Sequence, residues 1–334
     1  MASLLQSPIN LAGVFSEGNR IISAHSRHLL ALTVLFILPF AFLTTISTTL
    51  HSLLLLPSHS HLQTLTLLRV SDLTSLTFFF PLISTLVALI LSISAVGSIS
   101  FSVFHGFFGR PVKLANALRS LLHSFLPILV TTLLSAVIQF VVLALALIDF
   151  VSVVKGFEFL GFGNGTIDFS SNCVLIASAV IGCGLVSILA FLHVNWALAS
   201  VVVVVERSWG IEPLRRSRKL VKGMRGVTLS VLLFFGFNIG FFVWLGAGYD
   251  QDLGDLSSSW VKGLGFMVRT VAVTASLTLF MFNYLAANTV LYLYAKALNG
   301  ELAGEIAEEF AREYVSLPFD EEKVPHFVSV IPPA

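Results

Sequence analysis

Six stretches of this chain are each long and apolar enough to cross a bilayer, and this constrains the fold more than any other feature. They run from Leu29 to Leu50, Phe78 to Phe104, Leu121 to Ile148, Cys173 to Val205, Val227 to Gly248 and Leu264 to Ala295. Hydrocarbon offers the backbone no hydrogen-bond partners, so about 20 consecutive apolar residues must satisfy their own N–H and C=O groups as a helix. The rest of the composition agrees. Of 334 residues, 56% are hydrophobic and 11% charged, and mean hydropathy is +0.93. A water-soluble globule of this make-up lacks the polar surface to cover itself. The predicted fold is all-α: a polytopic membrane protein with six transmembrane helices and cytosolic amphipathic helices. A net charge of +1 and two cysteines argue against a nucleic-acid partner and against a disulfide scaffold.

Lys and Arg set the sidedness. Fifteen of the nineteen fall in the N-terminal segment, the connections after the second and fourth spans, and the C-terminal tail. Arg69, Lys155 and Lys262 occupy the opposite loops, and Arg269 lies within the sixth span. Both termini are therefore expected in the cytosol, with residues 1–28 a cytosolic amphipathic segment, 29–295 the membrane domain and 296–334 a cytosolic tail. The expected compartment is the endomembrane system or the plasma membrane. Asn164-Gly165-Thr166 is a glycosylation sequon in a predicted outer loop, which makes Asn164 a candidate acceptor. The first apolar run is too long for a signal-peptide core and reads as an uncleaved anchor.

Pro39, Pro81 and Pro127 fall within the first three spans and are expected to bend them. The fourth is too long for a perpendicular crossing, since its thirty-three residues would rise about 50 Å as straight helix. Tilt, a bend near Gly182-Cys183-Gly184 or a cytosolic extension would absorb the excess.

An amphipathic leader precedes each pair of spans: Asn19 to Arg27, Arg110 to His123 and Glu212 to Arg225. Two readings fit, a threefold plan of leader plus hairpin or the simple alternation of positive-inside loops. In the third leader, Pro213 suits a first helical turn and Glu212 can support Arg216 at i+4. Ile211, Leu214, Val221 and Met224 share an apolar face. Arg215, Arg216, Lys219 and Lys222 form a basic one, a candidate contact for anionic lipid headgroups. Beyond the sixth span, Leu298, Leu302, Ile306, Phe310 and Tyr314 alternate with glutamates as an acidic amphipathic helix. Such a helix suits electrostatic capping of the third leader or docking of a cytosolic protein.

His193-Val194-Asn195-Trp196-Ala197-Leu198-Ala199-Ser200, the valine run, Glu206, Gly210-Ile211-Glu212-Pro213-Leu214, Arg216-Ser217, Leu220 and Lys222-Gly223 form a contiguous signature. It resembles a plant family of uncharacterised six-span membrane proteins. More distantly, it is similar to the membrane domain attached to some bacterial glycerophosphodiester phosphodiesterases. The segments Leu291-Tyr292-Leu293-Tyr294 and Tyr314-Val315-Ser316-Leu317-Pro318 also look like the plant family. The resemblance implies a shared fold and membrane residence. It brings no catalytic or binding residues, and no phosphodiesterase domain is expected among these residues.

Polar side chains inside spans are the usual functional pointers, because each is costly in hydrocarbon. The candidates are Gln139, His193, Asn195, Asn238, Arg269, Asn283 and Asn288, with Glu206 at the cytosolic mouth of the fourth span, where Arg207 or a basic leader residue could pair with it. Interhelical glue is the favoured role for His193 and Asn195, and snorkelling for Arg269. Gly236 and Gly240 form a GxxxG suited to close helix packing, against another helix of the same chain as the favoured reading or against a second copy. His51, His59 and His61, and Asp250, Asp252 and Asp255, lack the frame of a metal site. Cys173 and Cys183 sit ten apart in one apolar segment and are expected as thiols. No nucleophile elbow, P-loop, dinucleotide fingerprint or zincin motif occurs. The resulting expectation is a non-enzymatic scaffold or adaptor in membrane lipid organisation or trafficking, without metal or cofactor. Its partners would be membrane lipids, anionic ones included. The alternative is a small-solute or lipid transporter with a cavity lined by His193, Asn195 and Asn283.

Overall fold

The computed structural model describes residues 10–55, 70–109, 112–159, 172–247, 260–302 and 304. Asn164, the acidic loop, His59, His61 and most of the acidic tail lie outside them, as do the side chains of His51 and Cys173. The described residues are helical, with no strand among them. In chain order the helices are α1 (Leu11–Ala24), α2 (Ser26–Leu32), α3 (Leu38–Leu55), α4 (Val70–Phe107), α5 (Leu114–Phe159), α6 (Asn172–Trp196), α7 (Ala199–Glu206), α8 (Ile211–Val221), α9 (Arg225–Ala247) and α10 (Trp260–Leu298). Six segments are long and apolar enough to span a membrane: Ser26–Ser47, Phe79–Phe107, Leu114–Gly156, Leu175–Glu206, Arg225–Ala247 and Gly263–Leu298. All six match the predicted spans. The protein is a multi-pass membrane protein.

Local chemistry explains the element boundaries. The Asn10 side chain accepts a hydrogen bond from the Gly13 N–H at 2.8 Å and caps α1, satisfying one of the orphan donors of a helix start. A π-helical turn, Thr33–Ile37, joins α2 to α3 just before Pro39. Proline cannot donate to the carbonyl four residues back, and the wider turn absorbs that missing bond. Helices α4 and α5 continue without interruption across Pro81 and Pro127, where the hydroxyls of Thr85 and Thr131 donate to the two proline carbonyls.

Two alternatives that the sequence leaves open are narrowed. Helix α6 passes without interruption through Gly182-Cys183-Gly184, and the fourth span breaks lower down, at Ala197 and Leu198. The second leader is not a separate amphipathic helix. It forms the opening turns of α5, whose 46 residues make a rod of about 69 Å. The first leader, Asn19 to Arg27, straddles the end of α1 and the start of α2, and only the third, as α8, stands as a helix of its own.

The core gathers at the end of the bundle where α1 and α8 lie. Val14 and Ile21 of α1, Ile99 and Val103 of α4, Val201 and Val202 of α7, Leu220 and Val221 of α8 and the Val290–Leu293 run of α10 pack into one cluster. Toward the other end the spans turn broad apolar faces outward, as helices solvated by lipid do. In hydrocarbon, helices adhere by close packing rather than by hydrophobic exclusion, so small residues mark the seams. Ser94, Ser98 and Ser102 repeat every four residues on α4 and are buried. Each returns its hydroxyl to the carbonyl four residues earlier.

Gly97 and Gly106 complete that seam. A Cβ at Gly97 would lie 3.1 Å from Leu121 Cδ1 on α5, and one at Gly106 would lie 3.0 Å from His25 Cδ2. Gly236 and Gly240 do not behave in this way. Both are exposed on α9, and a Cβ at either meets nothing within 4 Å among the described residues. The expectation that they pack against another helix of the chain is therefore corrected. Gly97→Leu should lower stability by about 1–3 kcal/mol through overpacking, while Gly236→Leu should leave it unchanged or raise it slightly. Thermal unfolding of the two purified variants in one detergent makes the comparison.

Candidate functional site

Three contiguous features at the leader end form the candidate site: a broken span, an ionic cluster and a row of exposed cations. The break comes first. Where α6 gives way to α7, the Leu198 N–H and the Asn195 carbonyl lose their helical partners. Ser217 of α8 replaces both: its hydroxyl accepts from Leu198 N at 3.2 Å and donates to the Asn195 carbonyl at 2.7 Å. Ser217 and Leu198 are fully buried. An amide left open at such depth is costly, so α8 and the break hold each other in place.

The ionic cluster lies beside this contact. Glu206, the last residue of α7, accepts from Arg216 Nε at 3.1 Å and from the Tyr292 hydroxyl at 2.9 Å. Lys296 Nζ stands 3.6 Å from the same carboxylate and 5.2 Å from the Tyr292 ring centre. Arg216 reaches on to Glu301, donating from both terminal nitrogens. Gly300 makes this geometry possible. Its φ of +75° turns the chain at the end of α10, a conformation that a side chain resists, and Glu301 follows directly. The hydrogen bond to Glu301, ahead of those to Glu206, holds the Arg216 guanidinium above its ordinary pKa despite partial burial. A pKa raised on folding adds stability that is fully present below the ordinary value and is lost only in strong alkali. The Arg216 charge therefore contributes across the whole physiological range.

This arrangement bears directly on the predicted basic face. Arg216 turns inward to two carboxylates and does not use Glu212, its i+4 neighbour. Arg215, Lys219 and Lys222 are exposed, and Arg218 joins them. The apolar face of α8 is covered by protein: Leu214, Val221 and Met224 are buried, together with Leu220, whereas Ile211 is 59% exposed. α8 packs on α5, α6, α7 and α10, so its apolar side is occupied by the bundle instead of resting in lipid.

The intramembrane polar residues do not converge. Asn195, Asn238 and Asn283 each donate to the carbonyl four residues back on their own helix, and the Asn195 Oδ1 is buried without a partner. His193 meets Gln139 of α5 at 3.5 Å. Both border a cavity of about 200 Å³ between α5 and the break, which Asn195 and Asn283 do not line. Arg269 is half-buried in α10, with an interaction of its own. Cys183 is a free, exposed thiol. No cluster of three or more potential metal ligands occurs among the described residues. Sequence reasoning missed Ser217, Tyr292 and Lys296. Glu206 and Arg216 it did single out, offering a basic leader residue as one partner for Glu206.

Fold and site together define a six-span, all-α membrane protein closed at one end by an amphipathic helix and its ion pairs. The chain belongs to the family described as Domain of unknown function (DUF8558), whose profile matches residues 5–318. No curated protein and no solved structure matches it significantly.

The cluster makes a quantitative prediction. Lys296 is only 3% exposed, so Glu206→Gln removes the carboxylate facing a buried cation. It should cost about 2–4 kcal/mol, somewhat below the range for breaking a fully buried pair because Glu206 is part-exposed. Adding Lys296→Met should restore much of the loss. Urea or thermal unfolding of the single and double variants checks this.

Proposed function

We propose that the protein is a non-enzymatic membrane scaffold or adaptor that presents a fixed cationic surface at the cytosolic face of an endomembrane or plasma membrane, serving lipid organisation or trafficking. The observation that carries this reading is the division of labour on α8. Its apolar side, Ser217 and Arg216 are committed to the bundle, while Arg215, Arg218, Lys219 and Lys222 remain exposed. A row of cations on a helix that cannot roll away is suited to an anionic lipid surface, at about 1 kcal/mol for each residue near it.

Placing this end in the cytosol follows the excess of Lys and Arg there. The kinship with the plant family and the more distant bacterial likeness rest on the 193–225 signature, in which Ser217, Glu206 and Arg216 now have structural roles. The scattered intramembrane asparagines favour this reading over a transporter, since each bonds within its own helix rather than facing a shared path.

The test uses the full chain in phosphatidylcholine nanodiscs, mixed with vesicles of phosphatidylcholine with or without phosphatidylserine at physiological salt. Capture of the serine-lipid vesicles should exceed capture of the neutral ones, and R215Q/R218Q/K219Q/K222Q should weaken it by about tenfold or more. Equal capture of both vesicle types would contradict the proposal.

A further inference from the structure

A second cationic feature lies apart from the α8 row, at an open cleft of about 870 Å³ between α4, α5 and α7, where Arg119, Arg207 and His123 are exposed. That volume is within the range of small-molecule and cofactor sites. Its polar wall carries Arg119, Arg207, His105 and His123, together with Asn116 and Ser124, and no Asp or Glu lines it among the described residues. Its opposite wall is apolar, with Phe101, Phe104 and Val203. The cleft lies where α4 and α7 end and α5 begins, at the level where spans give way to leaders. A headgroup on the polar side and a hydrocarbon chain against the phenylalanines would match both walls.

Two further observations point to an anion. Arg119 and Arg207 have no carboxylate partner among the described residues, whereas Arg20, Arg216 and Lys296 all have one. Two permanent cations bordering one cleft attract a counter-charge to it. Next, Arg207 is the one non-glycine residue with positive φ among the described residues, at φ 54° and ψ 29°. Such a conformation costs free energy and persists where the surroundings impose it. Here Glu206 is held in the ionic cluster by Arg216 and Tyr292, and the left-handed turn sends the very next side chain to the cleft on the other side. Adjacent residues of opposite charge are thereby kept apart.

We infer that this cleft binds the phosphate of an anionic phospholipid, with Arg119 and Arg207 as its charge-assisted donors and the phenylalanine wall holding the proximal acyl chain. A guanidinium pair suits phosphate oxygens in both charge and geometry. The shared chemistry is a phosphate ester, and the apolar wall selects a lipid over a soluble ester. The site is independent of the α8 row and does not require that row to touch a membrane.

The experiment follows thermal unfolding of the full chain in a neutral detergent as short-chain phosphatidic acid, short-chain phosphatidylcholine or glycerol 3-phosphate is added. Phosphatidic acid should raise the melting temperature saturably, and the other two should not. R119Q and R207Q should each shift the half-saturating concentration by about tenfold or more, as loss of a hydrogen bond to a charged group does. R119K/R207K should retain part of the response, which separates loss of the site from loss of folding should a glutamine variant melt early. R215Q/R218Q/K219Q/K222Q should respond as the wild type does, so a failure of the scaffold reading leaves this result standing. An equal response to glycerol 3-phosphate would overturn the lipid assignment. An absent response to phosphatidic acid, or one unchanged in R119Q and R207Q, would overturn the site.

Discussion

The structure depends on one constraint: a broken helix needs a partner for every backbone group that the break exposes. The fourth span breaks at Ala197 and Leu198, and the serine hydroxyl of an amphipathic helix nineteen residues further along the chain takes up both open groups. That contact fixes α8 against the bundle. Once α8 is fixed, Arg216 lies between Glu206 and Glu301, and the end of α10 is drawn into the same cluster. The exposed cations and the left-handed turn at Arg207 follow from the same placement. Ionic contacts of this kind contribute little alone on a surface. Here they surround a buried lysine and a break that has already set the geometry.

The two ends of the bundle are held by different physics. At the leader end, α1, α4, α7, α8 and α10 pack into a core like that of a soluble domain, with the Phe15, Phe235 and Tyr284 rings in edge contact. Farther along, the α5–α6 hairpin turns most of its surface outward. Where lipid replaces water, apolar faces gain little by leaving it. Seams therefore form where serine and glycine let backbones approach, as along α4. A rigid leader end carried by lipid-facing spans suits a protein whose contacts are made at the membrane surface.

Much of the fold was legible in the sequence, because hydropathy and length leave few alternatives for six apolar segments. The site was less so. No proline or glycine marks the break in Asn195-Trp196-Ala197-Leu198-Ala199; only the excess length of the span hinted at it. Ser217 stands between Arg216 and Arg218, where a basic helix disguises a buried hydroxyl. Gly236 and Gly240 form a familiar pattern, yet an all-apolar span does not encode which of its faces meets protein. The four-residue serine repeat of α4, with Gly97 and Gly106, carries a signal for a packed seam that the reading of the spans passed over. Tyr292 and Lys296 were hidden at a span end, where the lysine counted only toward sidedness until Glu206 was placed beside it.

The central claim is that Ser217 seals the break in the fourth span, and amide hydrogen exchange over residues 194–201 of the full chain in nanodiscs tests it most directly. With the seal in place, the Leu198 amide should exchange as slowly as those within α7, and in Ser217→Ala it should exchange faster by about tenfold or more, as loss of a buried hydrogen bond requires. Rapid exchange of Leu198 in the unaltered protein, with no change on removing the serine hydroxyl, would contradict the account.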